Sequence, residues 1–231
     1  MIPVSAFTIV RNEEILIAKH LVALTQLVDE VVCVVQPSDD ATLRIANGVA
    51  RQLASLRVRV NVVSHAPTPI GKEYSLLFAV SQCQHEWCLN LDADETYAGT
   101  APGLLVEGVE GAIEVVWIER FHAVASSTAW FKQERSMRAR LFRKQALRED
   151  VRTALHRGLD EYFLGRSHIS ANHALIVECK ATWQHYVDQL FCRAYGAASD
   201  YDRCQVKLSE IEKKLGEAFF QAYFPEAKPP V

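Results

Sequence analysis

Short, unbroken apolar runs alternate with stretches of helical periodicity through the N-terminal part of the chain, and this alternation limits the possible folds more than any other feature. Val4 to Val10 is an apolar run bounded by Pro3 and by Arg11-Asn12, which suits a strand buried on both faces. The period then changes. Asn12 can cap a helix with Glu13 and Glu14 in its first turn, and Ile15, Ala18 and Val22 recur at helical spacing toward Leu27. The unit repeats: Val31 to Val35 is a second strand, Gln36 to Asp40 a polar turn, and Ala41 to Leu56 a helix. Val58 to Val63 gives a third strand, Glu73 to Cys83 a helix after a loop holding Pro67, Pro69 and Gly71, and Trp87 to Leu91 a fourth buried strand. Such alternation predicts an α/β fold with a parallel sheet covered by helices. Ligands in these folds sit beyond the carboxyl ends of the strands, which directs attention to Arg11 to Glu13, Gln36 to Asp40 and Asp92 to Glu95.

Beyond Gly111 the pattern loosens. Ala112 to Ile118, Arg138 to Phe142 and Leu175 to Trp183 read as strands, and a helical stripe runs from Val187 to about Tyr223. The 231 residues, 49% hydrophobic and 23% charged, suit one globular domain with a sizeable core. A net charge of −3 supplies no overall positive field for nucleic acid. No apolar stretch approaches the roughly 20 residues that cross a bilayer, and Met1-Ile2-Pro3-Val4 lacks the features of a signal peptide, so a cytoplasmic protein is expected. The six cysteines form no CxxC pair, and reduced thiols in the core are the expectation.

The chemistry is concentrated in Trp87-Cys88-Leu89-Asn90-Leu91-Asp92-Ala93-Asp94-Glu95, where three carboxylates crowd together just as an apolar strand stops. Like charges held together raise one another's pKa, and a hard divalent cation relieves that by binding carboxylate oxygen.

Four segments together, Phe7 to Glu14, Asp29 to Val32, Trp87 to Glu95 and Arg140-Leu141-Phe142-Arg143, resemble in order and spacing the family 2 glycosyltransferases of the GT-A fold. The resemblance covers roughly Pro3 to Tyr186. It implies a single Rossmann-like domain over residues 1–186, with a mixed, largely parallel sheet, a donor half at 1–100 and an acceptor half at 101–186. Residues 187–231 would form a C-terminal helical extension packed on the same domain. It also implies that Asp92 and Asp94 form the family's DxD motif and hold Mn²⁺ or Mg²⁺, with His185 directed toward the metal. Arg11, Asn12, Glu13, Asp39, Asp40, Lys72 and Asp92 would contact the nucleotide-sugar, and Arg140 and Arg143 its diphosphate or an anionic acceptor. Two departures stand out: Gln36 occupies a place where the family often has aspartate, and Arg157 follows His156 where relatives often show His-Glu.

An inverting transfer needs a carboxylate to take the acceptor's proton, and Asp160, Glu161 and Glu134 are the candidates. The implied acceptor is a glycan, a lipid-linked glycan or another hydroxyl, as in bacterial surface-polysaccharide biosynthesis. The C-terminal stripe could close over the site, form a homodimer or rest on the inner face of a membrane. Two other functions fit parts of the sequence. Asp92-Ala93-Asp94-Glu95-Thr96 also resembles the first motif of Mg²⁺-dependent haloacid-dehalogenase-type phosphohydrolases, with Asp92 as nucleophile. The altered Gln36 turn and the missing His-Glu carboxylate are compatible with a sugar-nucleotide-binding subunit that does not catalyse.

Overall fold

The structure is a computed structural model that describes residues 1–66, 72–109, 111–126, 129–147 and 159–180. The chain divides into two compact units, one made of Met1–His122 with Glu134–Glu178, the other of Ala123–Gln133 with Cys179–Val231. Most of the second unit, including the stripe from Val187 to Tyr223, lies outside the described residues.

The chain begins with three strand-helix units: β1 (Val4–Val10), α1 (Ile17–Leu24), β2 (Glu30–Val35), α2 (Thr42–Leu53), β3 (Arg59–Ser64) and α3 (Lys72–Gln82). Then come β4 (Trp87–Asn90), β5 (Glu95–Gly99) and the short α4 (Pro102–Leu105). The long strands β6 (Val115–Ser126) and β7 (Ala129–Arg143), the short α5 (Leu159–Phe163) and β8 (His168–Lys180) complete the described elements. All eight strands join one sheet in the order β3-β2-β1-β4-β7-β6-β8-β5. The β3, β2, β1 and β4 pairings are parallel, whereas β7 runs antiparallel to β4 and β8 antiparallel to β5. The sheet is thus mixed, with a parallel half built from the first 90 residues.

The unbroken apolar runs follow from burial on both faces. Along β1 and β2, Val4, Ala6, Val10, Val31, Cys33 and Val35 join one core layer with Ile17, Leu21, Leu24 and Ala46 from α1 and α2. Their neighbours Phe7, Val32 and Val34 point the other way, into a layer with Leu76, Ala79 and Val80 of α3 and with Phe142, Tyr162 and Phe163. A two-sided environment leaves no position for a polar face, so the strands cannot alternate in hydropathy. Cys33, Cys83 and Cys88 are buried free thiols, as expected of them.

Helix α1 departs from the expected register. Its buried face is Ile17, His20, Leu21 and Leu24, while Ile15 and Val22 of the anticipated stripe are exposed. The cause is Asn12, which takes a left-handed φ of 54° instead of capping a helix. Strand β5 also escaped the sequence reading because it opens on an acidic residue. It ends at Gly99, where a Cβ would be driven into the carbonyl oxygen of His173 on β8.

Phe142 packs between Phe7 and Phe163, with ring centroids 6.1 and 5.2 Å away, and is fully buried. Replacing it with alanine should cost about 3–5 kcal/mol, read as a lowered urea midpoint with an unchanged slope.

Candidate functional site

Two loops leave the carboxyl ends of β1 and β2 and are laced to each other. The Asn12 amide donates to Ser38 Oγ at 3.2 Å, and the Asp39 amide donates back to Asn12 Oδ1 at 2.9 Å. Glu13 N–H reaches Thr42 Oγ1 at 2.7 Å, Glu14 N–H reaches Asp40 Oδ2 at 3.1 Å, and Ala41 N–H reaches Glu14 Oε2 at 3.0 Å. Asp40 Oδ1 also accepts from the backbone and hydroxyl of Thr42, at 2.9 and 2.5 Å, at the start of α2. Both Asp40 oxygens therefore tie loop to loop and loop to helix. Asp39 differs, for its side chain is exposed beside this clasp. Arg11, half-buried at the end of β1, has a buried Nε without a hydrogen-bond partner.

Gln36 supports a third wall. Its side-chain amide donates to Ser75 Oγ on α3 at 2.8 Å, and His65 Nδ1 lies 3.2 Å from the same hydroxyl. The His65 ring stacks on Phe78 at 4.1 Å. Gln36 thus fills with a neutral amide the place where the family often has a carboxylate.

Next to these loops, β4 ends at Asn90 and the acidic turn begins. Asp92 N–H donates to Glu95 Oε2 at 3.0 Å, and Glu95 N–H returns to Asp92 O at 2.9 Å, so the turn closes on itself. Arg140 of β7 donates to Asn90 Oδ1 at 2.7 Å and to Glu95 Oε1, and its Nη2 lies 3.7 Å from Asp92 Oδ2. Arg120 Nη1 stands 3.9 Å from Glu95 Oε1. The three carboxylates are consequently not equivalent. Glu95, 1% exposed at its side chain, is neutralised from behind by guanidinium groups, while the Asp92 side chain keeps 23% exposure. Asp94 is nearly buried.

His20 comes up beneath the turn from α1. Burial lowers its pKa to about 4, against the opposing pull of the Asp92 charge and of hydrogen bonds to the backbone at Glu95 and Leu91. Sequence reasoning passed over His20 because a lone histidine in a helix carries no motif. Asn90 was visible as a polar residue in an apolar run, but nothing in the sequence paired it with Arg140.

Several anticipated residues serve elsewhere. Arg143 pairs in register with Trp87 at the opposite end of β4 from the acidic turn. There it stacks over the Trp87 ring, donates to the carbonyl oxygen of Ile113 at 2.9 Å and pairs with Glu86. That position and those partners give it a structural role in place of the anticipated donor contact. Asp160 accepts from Arg138 Nη1 at 2.6 Å and from the Ala139 amide at 2.8 Å, which fastens α5 to β7. Lys72 opens α3, Glu134 lies in β7 and Glu161 in α5, but their side chains are outside the described set, and His156 and His185 lie outside the described residues altogether. Among the described residues, no three His, Cys, Asp or Glu side chains converge as a complete metal cage. Nor does any described helix have the length and apolarity to cross a membrane.

A mixed sheet with a parallel half, flanked by helices, is the GT-A fold, and solved glycosyltransferase structures share that fold. A mannosyltransferase from Pyrobaculum calidifontis, solved with GDP-mannose and Mn²⁺, is 16% identical with a TM-score of 0.57, covering 88% of this chain and 64% of its own. TarS of S. aureus, solved with UDP, is 14% identical with a TM-score of 0.54, covering 98% and 76% respectively. The family model for glycosyl transferase family 2 matches residues 5–164, and the chain belongs to that family. An uncharacterized glycosyltransferase of Rickettsia typhi is 33% identical over 92 residues, which are 40% of this chain and 28% of that protein. One from Rickettsia felis is 34% identical over 92 residues, 40% and 29% of the two chains. The matched segment thus spans less than a third of these curated relatives.

His20 gives the metal-free protein a pH-dependent stability. The native ring takes a proton only near pH 4, whereas an unfolded histidine does so near pH 6.5, so between these values the unfolded state binds more protons. Stability should therefore fall as pH drops through that window, by up to about 3 kcal/mol from this residue, with none of this dependence above it. His20→Gln should flatten that part of the profile in urea titrations taken between those two pH values.

Proposed function

We propose that this chain is the donor-binding and catalytic domain of a metal-dependent, inverting glycosyltransferase that moves a sugar from a nucleotide-diphosphate donor to a hydroxyl acceptor. The observation that carries the reading is the acidic turn with Asp92 and Asp94 at the carboxyl end of β4, a strand paired in parallel with β1, which in turn pairs with β2. The donor set fits the cation: Asp92 and Asp94 carry hard carboxylate oxygens of the kind Mn²⁺ or Mg²⁺ takes, and they would hold it at this turn. His185 is a further candidate ligand.

When bound, the cation would offset the negative charge that builds on the departing diphosphate. The chain's own residues do the rest. Asp39, exposed beside the Asn12–Ser38 clasp, is placed to receive hydroxyl or N–H groups of the nucleoside, and Arg11 supplies positive charge at the end of β1. The acceptor hydroxyl gives its proton to a carboxylate as its oxygen bonds to the anomeric carbon. The bond from that carbon to phosphate oxygen breaks, and its electron pair leaves with the nucleoside diphosphate. Asp160 is held by Arg138 and the Ala139 amide, so Glu134 and Glu161 are the better candidates for the base. A dehalogenase-type phosphohydrolase would need later acidic residues to complete its Mg²⁺ site. The family match over residues 5–164 leaves that reading without support.

Calorimetry with a panel of nucleoside diphosphates should find one that binds tightly only with Mn²⁺, and Asp94→Ala should abolish both that metal dependence and sugar transfer. Equal Mn²⁺ affinity and turnover in Asp94→Ala would defeat the proposal, and tight binding without transfer to any acceptor would favour a non-catalytic subunit. A second pair of variants separates ligand from scaffold. Asp39→Ala should weaken nucleotide binding at unchanged stability, while Asp40→Ala, which removes the acceptor of the Thr42 and Glu14 hydrogen bonds, should cost about 1–2 kcal/mol in urea unfolding.

A further inference from the structure

Arg140 is the residue whose assignment the geometry changes most. The resemblance offers it as a contact for the donor diphosphate, but its guanidinium already meets Asn90, Glu95 and Asp92, three positions in one short stretch of chain. Its side chain is only 11% exposed. We propose that Arg140 is a positioning residue of the cation site: it locks Asn90, Glu95 and the Asp92 backbone into one frame, so that Asp92 and Asp94 present their oxygens in fixed directions. This rests on the metal-site reading above.

Two observations support it independently. Glu95 closes the turn by accepting the Asp92 amide at 3.0 Å, and its carboxylate is almost wholly inaccessible to water. Without Arg140, a buried carboxylate would lose a direct counter-charge and would swing out toward water. That movement would release the Asp92 amide and free the turn. The second observation is Asn90, 1% exposed in a strand whose other residues are apolar or thiol-bearing, with Nδ2 lacking a hydrogen-bond partner. An amide half-satisfied in a core is costly, and the interaction that accounts for it is the 2.7 Å bond from Arg140 to its Oδ1.

The proposal makes a prediction opposite in sign to simple electrostatics. A guanidinium 3.7 Å from a metal-ligand oxygen repels the cation, so removing a charge that did nothing else would tighten metal binding. Removing a charge that holds the ligands in place would loosen it.

The test is the Mn²⁺ affinity of the full chain, measured from the paramagnetic resonance of free Mn²⁺ with and without UDP or GDP. It compares wild type, Arg140→Met, Arg140→Lys, Asn90→Ala and Asp94→Asn. Arg140→Met should bind Mn²⁺ about 10–100-fold more weakly, the range typical of lost outer-shell support, while its metal-free nucleotide affinity stays unchanged. Arg140→Lys should recover part of the loss, and Asn90→Ala should shift affinity in the same direction by less. Mn²⁺ binding as tight as wild type or tighter in Arg140→Met, or a parallel drop in metal-free nucleotide affinity, would overturn the assignment. Should Arg140→Met fail to fold, Asn90→Ala decides alone: weaker Mn²⁺ binding supports the frame, and unchanged binding refutes it. If instead wild type and Asp94→Asn bind Mn²⁺ equally, the cation site itself is absent, and the functional reading falls before Arg140 is reached.

Discussion

Strands β1, β2 and β4 are buried on both faces, and everything functional in this molecule follows from where that burial stops. Within the strands a charged side chain would be desolvated without compensation, so polar chemistry can appear only at their ends. At the carboxyl ends the backbone leaves the sheet together with Asn12, Gln36 and Asp92, and the three loops converge because their strands are neighbours in register. The amino ends have their own polar cluster. Glu30, buried at the start of β2, accepts from Ser5 Oγ at 2.5 Å and from the Gln84 amide at 2.7 Å, with Arg59 3.5 Å away. Both hydrogen bonds go to Oε2, while Oε1 faces Arg59 without a hydrogen bond, and the contacts tie β1, β2 and the segment before β4 together at that end.

The same physics decided what could be read from the sequence. Two-sided burial writes itself as continuous Val, Ile and Leu runs, so β1, β2 and β4 were legible almost to the residue. Helix α1 was legible in kind but not in face, because one left-handed residue, Asn12, rotates everything after it. Strand β5 was hidden because it carries a buried glutamate whose partners lie 25 and 45 residues further along the chain, at Arg120 and Arg140. No local pattern announces a residue satisfied at that distance. Within the site, the acidic turn was plain from composition alone. The division of its carboxylates, Glu95 turned inward to Arg140 and Asp92 left partly open, depends on β7 lying beside β4.

Charge placement also separates the arginines of β7. Alternation along β7 puts Arg138 and Arg140 on one face, yet their partners differ, the first holding Asp160 of α5 and the second the acidic turn. Arg143 lies where β4 begins and braces Glu86 and Trp87. The three arginines are thus spread along β4 and onto α5, and each answers a carboxylate. On the proposed reading, positive charge for a diphosphate would come from elsewhere on the carboxyl edge, where Arg11 stands half-buried at the end of β1.

That distribution bears on how the site would take up its ligands. A loop pair that is already laced by five backbone-to-side-chain hydrogen bonds loses little conformational freedom when a nucleoside arrives. The acidic turn is likewise closed in advance by the reciprocal Asp92 and Glu95 contacts and by Arg140. On the proposed reading, Asp92 and Asp94 would supply only part of a divalent cation's ligand set, and a sugar linked through a diphosphate is a molecule whose own oxygens could supply more of it.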